Sequence, residues 1–164
     1  MTDAQNVLNQ LSILMLVDGF DTEGLFDSLA RLLQLREAEL LLVFVHRTGP
    51  RPGLELAPRR PGGHDLAPHR ERELANAEVE GGNQALAEAE KIARQLGARV
   101  ESRHLDGEPG HVVCELAKAE RADLVAVRGT GHGRPQVGPG SLGPTARFIV
   151  DHSPCPVLLL RDSG

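Results

Sequence analysis

Aromatic side chains are almost missing from this chain of 164 residues, which has four Phe and neither Trp nor Tyr. A core built around large rings is therefore excluded, and aliphatic layers of Leu, Val and Ala must do the packing. Cysteine is scarce too. Cys114 and Cys155 stand far apart in sequence, which argues against a disulfide framework and for a reducing compartment. No apolar run approaches the ~20 residues needed to cross a bilayer as a helix. The opening MTDAQNVLNQLS lacks the basic start and cleavage site of a secretory signal, so a cytoplasmic protein is expected. An excess of positive charge is also lacking: 18 Lys and Arg face 23 Asp and Glu, a net −5, which gives no support to nucleic-acid binding.

What the chain does have is short, dense apolar runs separated by helical patterns. Residues 12–17 (SILMLV), ending in Asp18-Gly19, read as the first central strand, with Asp18 at its carboxyl end. Leu25, Leu29, Leu32 and Leu33 repeat at helical spacing and predict a helix over 22–35, with Asp21 or Thr22 as its cap. Residues 39–45 (ELLLVFV) form a second strand, and two strands joined by such a helix make a right-handed crossover. Residues 69–96 are helical in pattern, with Gly81-Gly82 predicting a bend and Gly97 a stop. Residues 99–105 alternate as an edge strand does. A turn at 106–109 leads to a helix over 110–120, then a strand over 124–127, a short helix over 145–152 and a last strand over 157–160. Five strands alternating with four helices predict a single doubly wound α/β domain spanning 1–164.

One stretch does not fit this rhythm. Residues 46–68 carry five prolines, four arginines and only two acids, which forbids helix and central strand alike. Two readings stay open: a solvated excursion, or a basic flap beside the carboxyl end of the second strand that closes on an anion or meets a partner.

Chemistry concentrates in residues 123–161. Between the fourth strand and the last helix lies a loop with Gly129, Gly131, Gly133, Gly138, Gly140 and Gly143. Glycine-bared N–H groups beside a helix N-terminus hold phosphate without spending side chains. Arg128, His132 and Arg134 lie in the same loop and complement negative charge. The Walker A ending Gly-Lys-Ser/Thr is absent, no histidine stands at metal-ligand spacing with the cysteines, and no serine sits in a nucleophile elbow. Binding is expected rather than catalysis.

The run from Gly133 through nine residues to Gly143, then a helix and Pro154-Cys155-Pro156-Val157, resembles the C-terminal signature of the universal stress protein family. The first half, a strand ending Val17-Asp18-Gly19, resembles it too. Two positions depart from the pattern of the family's ATP binders: Thr130 stands where a glycine is usual, and Pro144 follows Gly143 where a hydroxyl residue is usual. The Gly140-Ser141 dipeptide matches, three residues early.

The resemblance implies a parallel sheet of order 3-2-1-4-5, with strands one and four adjacent at the switch point where open α/β sheets bind ligands. It implies ATP or a related adenine nucleotide there, with Mg²⁺, and Asp18, Val45, Arg128, Gly129, Gly131, Gly133, Ser141 and Gly143 as nucleotide-binding residues. It implies a homodimer through the C-terminal edge strand, whose uncovered apolar backbone invites pairing. A stress-response or regulatory module is expected. The alternative is a nucleotide-free dimer that acts through contacts with a regulatory protein partner and keeps a degenerate phosphate loop.

Overall fold

The computed structural model describes residues 10–48, 68–130 and 137–161. Five strands, β1 (Ser12–Leu16), β2 (Glu39–Arg47), β3 (Arg99–Gly107), β4 (Leu124–Arg128) and β5 (Val157–Leu160), form one sheet in the order β3-β2-β1-β4-β5. Every pairing is parallel, with Ile13 opposite Leu40 and Leu124 in the register at the centre. Parallel strands need crossover connections, and four helices supply them: α1 (Thr22–Leu32), α2 (Pro68–Gln95), α3 (Pro109–Ala119) and α4 (Pro144–His152).

The core is a pair of aliphatic layers. On one face Ile13, Met15 and Val17 of the central strand region meet Leu25, Phe26 and Leu29 of α1 and Ala85, Ala89 and Ala93 of α2. On the other, Leu14 and Leu16 meet Val113 and Ala117 of α3 and Ala146 and Ile149 of α4. Period-2 alternation in β1 thus feeds both layers, because a strand covered on both sides has no polar face to spare. The alanines at four-residue spacing let the long α2 lie close on the sheet without large side chains between.

Several expected boundaries move. The first helix stops at Leu32, which is 63% exposed; Leu33 is its C-cap and packs half-buried against the core, and Leu35 beyond it is buried. Asp21 is the N-cap, its carboxylate accepting from the Gly24 N–H at 3.1 Å.

α2 runs through Gly81-Gly82 without interruption. Gly82 answers to packing. A Cβ on it would stand 2.4 Å from a carbon of the Phe44 ring. His46 and Arg47 continue β2, and Pro68 opens α2, so both described ends of the proline-rich stretch belong to regular elements. The remainder of that stretch lies outside the described residues. The edge strand β3 runs on to Gly107. Its Ser102 and His104 hydrogen-bond Glu90 and Asn83 of α2, while Arg103 lies between Glu101 and Glu120 on the other side. Those two carboxylates raise the Arg103 pKa above its ordinary value, Glu120 contributing most.

A crevice at the switch point

β1 and β4 are neighbours, and the crossovers leaving them run to opposite faces of the sheet, so their carboxyl ends open a gap. Asp18 stands just past the end of β1. Its Oδ1 accepts the Phe20 N–H at 3.0 Å, a local turn that Gly19 completes at φ +80°, where a side chain would be strained. From the end of β4, Arg128 reaches across: Nε donates to Asp18 Oδ2 at 2.8 Å, and Nη2 donates to the Phe20 carbonyl oxygen. The Arg128 side chain is only 10% exposed. A charge-assisted bond so shielded is held more firmly than a solvated surface pair.

Beside this pair lies a cavity of about 510 Å³, within the range of small-molecule sites. Asp18 and Gly19 line it from the end of β1, Val45, His46 and Arg47 from the end of β2, and Glu78 and Gly81 from α2. His46 joins three elements: Nε2 lies 3.0 Å from Glu78 Oε2 and Nδ1 lies 3.4 Å from Asp106 Oδ1. Arg47 turns towards the helix starts on the far face. Its Nη1 meets Glu108 Oε2 at 3.1 Å, and its Nη2 donates to Thr145 Oγ1 in the first turn of α4 at 3.5 Å.

The glycine-loop end is laid out differently. The Gly129 N–H donates to the Leu160 carbonyl at 2.8 Å, and the Gly143 N–H donates to the Gly129 carbonyl at 3.0 Å. Gly143 is the N-cap of α4 and Pro144 its first residue, so one backbone donor is missing at that helix start. Thr145 and Ala146 retain N–H groups with no acceptor a turn earlier in the helix. Thr130 and Leu142 form an antiparallel bridge across the loop, and the buried Thr130 hydroxyl has no hydrogen-bond partner among the described residues. Ser141 is 3% exposed, its N–H turned back to the Gly138 carbonyl at 3.1 Å. Gly131, His132, Gly133 and Arg134 lie outside the described residues.

Of the residues singled out in the sequence, Asp18, Val45 and Arg128 thus gather around one crevice, with Gly129 and Gly143 hydrogen-bonded to each other at its far end. The model of the universal stress protein family matches residues 12–161. The chain belongs to that family.

Among its curated relatives, the universal stress protein YxiE of Bacillus subtilis is 26% identical over 156 residues, covering 91% of this chain and 97% of YxiE. Universal stress protein MJ0531 of Methanocaldococcus jannaschii is 30% identical over 83 residues, half of this chain and 47% of that protein. Solved universal stress proteins share the fold. UspA from Lactobacillus plantarum superposes with a TM-score of 0.68 at 22% identity, covering 93% of this chain and 99% of that one. An Arabidopsis thaliana family protein with AMP bound gives 0.61 at 18%, covering 93% of each chain. The Archaeoglobus fulgidus protein in complex with dAMP gives 0.58 at 18%, covering 92% and 98%.

His46, Arg47, Glu78 and Gly81 escape sequence reasoning. Composition merges the first pair with the proline-rich stretch, and only the fold brings α2 over the end of β2. No pattern in the sequence separates them, because the unbroken apolar run of β2 ends at Val45.

Proposed function

We propose that this universal stress protein binds an adenine nucleotide at the switch point and works as a cytoplasmic, ligand-responsive regulatory module. The observation that carries the reading is the 2.8 Å contact between Asp18 and Arg128 at the rim of the cavity. It brings the carboxylate that ends β1 and the start of the glycine loop to one place. The charges set an orientation. Asp18 and Glu78 place carboxylate oxygens on the cavity lining, fit to accept hydrogen bonds from ribose hydroxyls and a base amine. Arg47, beside the first turn of α4, and Arg128 put positive charge towards the other end. The nucleoside therefore lies between β1, β2 and α2, and the phosphates run towards α4. The bound AMP and dAMP of the two structural neighbours support this choice of ligand. ATP with Mg²⁺ on its phosphates extends the same pose along the glycine loop, where Gly129, Gly131, Gly133, Ser141 and Gly143 are the proposed contacts.

The second reading, a nucleotide-free dimeric regulator, draws on the same loop: the Gly129 and Gly143 N–H groups already have acceptors and Pro144 offers none. Thermal unfolding with and without ATP and Mg²⁺ separates the two. A midpoint that rises with ligand concentration supports binding, and a midpoint that never moves leaves the dimeric regulator. In both readings the copies pair through β5, which bonds only to β4 among the described strands. Sedimentation showing a monomer at micromolar concentration contradicts that pairing.

A further inference from the structure

Two adjacent glycines sit in the interior of α2, where glycine is worse for a helix than alanine. The fold accounts for one of them. A Cβ on Gly82 would run into the Phe44 ring at 2.4 Å and meet His104 Cε1 at 3.0 Å. Among the described residues nothing accounts for the other: outside its own stretch of helix, a Cβ on Gly81 would find no atom within 4 Å. Yet Gly81 lines the cavity, facing the same space as Asp18 and Val45. Across from α2, Gly19 also lacks a side chain, and a Cβ there would come within 3.7 Å of Ala85 Cβ, one turn further along the same helix. The cavity is thus bounded on these two sides by backbone without side chains, while its polar groups, Asp18, His46 and Glu78, stand around them.

We propose that α2 is part of the ligand site, and that Gly81 is kept bare so that the flat face of the nucleotide's base lies against the helix backbone there. This rests on the adenine-nucleotide reading above. A flat aromatic ring gains most by close contact over its whole face, and a methyl group standing between ring and backbone removes that contact. The helix forgoes the better helix former, and the gain appears only when the ligand is bound.

The test is Gly81→Ala, because fold and site respond in opposite directions. Unfolding followed by circular dichroism should show a midpoint raised by roughly 2–4 °C, as expected when an exposed helical glycine becomes alanine. Calorimetry with AMP should show affinity weakened roughly tenfold or more, as overpacking of a close contact does. Adenosine, which has the base and no phosphate, should weaken by the same factor. Equal AMP affinity in Gly81→Ala and the unmodified chain overturns the inference and leaves the nucleotide reading intact. So does a loss confined to AMP, which would place the effect at the phosphate end. A lowered unfolding midpoint overturns it as well, since the glycine would then serve the fold. Should the unmodified chain bind neither compound, the nucleotide reading fails and the inference falls with it.

Discussion

The two ends of the switch-point crevice are built on opposite plans. At the β1–β2–α2 end the chain leaves space: a cavity of about 510 Å³ with carboxylates on its rim and bare glycine backbone on its sides. At the glycine-loop end the described residues close on one another. Gly129 bonds to β5, Gly143 bonds to Gly129, and Pro144 removes a donor from the start of α4. A glycine-rich loop therefore does not guarantee a phosphate cradle, because glycine serves equally well to let backbone meet backbone. Under the proposed nucleotide reading, the nucleoside end would carry the recognition, and the phosphate end would depend on what Arg47 and the first-turn N–H groups of α4 add.

That contrast can be broken at either end. The largest expected effect is at Asp18. Asp18→Ala removes an acceptor from the cavity rim, and calorimetry should show nucleotide affinity down by about 10- to 100-fold, the worth of one charged hydrogen bond, with an unchanged circular dichroism spectrum. Unchanged affinity takes Asp18 out of the site.

Gly82→Ala probes the wall that the fold itself requires. The new methyl must displace the Phe44 ring, so urea unfolding should show a loss of about 1–3 kcal/mol despite the better helix former. Arg47→Ala tests the phosphate end. The preference for AMP over adenosine should shrink about fivefold and its salt dependence should flatten, while adenosine affinity stays put. Smaller still is Pro144→Ser, which restores a donor and a hydroxyl at the start of α4. One added hydrogen bond of about 0.5–1.5 kcal/mol should tighten ATP roughly 2- to 10-fold without changing adenosine binding.

A control lies away from both ends. Burial raises the Cys114 pKa above its ordinary value, and Cys155 adds to the rise. The folded chain therefore keeps the thiol proton where the unfolded chain has lost it. Stability from this group is full below the ordinary thiol pKa of about 8.5 and declines as pH rises through the folded value. Alkylation at pH 8.5 should be slower at Cys114 in the folded chain than in urea.

Most of the architecture was legible in the sequence because each apolar run was short, dense and bounded. SILMLV, ELLLVFV and LVAV read as strands, the last of them buried on both faces, and the sheet order follows from the resemblance carried by the signature around Gly143 and Cys155. Local punctuation was less legible. Gly81-Gly82 reads as a bend, and sequence does not show that Phe44, nearly forty positions earlier, lies against the second glycine. Leu32 reads as core by spacing, but α1 ends there and the residue is left at the rim, largely exposed.

At the site, Asp18 and Arg128 could be named from their places at strand ends, and the sheet order brings those ends together. Their direct bond could not be foreseen, because a strand pattern says nothing of where a long side chain reaches. Glu78 and Gly81 were out of range for the same reason as Phe44: the long α2 has no internal mark of which turn crosses β2. Pro144 was visible as a departure. Its meaning was clear only once the Gly143 N–H was seen to be turned inwards.

Amide shifts of the labelled chain, followed by NMR as AMP is added, bear most directly on where the ligand sits. The account requires saturable changes gathered at Asp18, Gly19, Val45, His46 and Gly81, with a second, weaker group at Thr145 and Ala146. Changes confined to β5 and α3, or a spectrum that AMP leaves untouched, would contradict it.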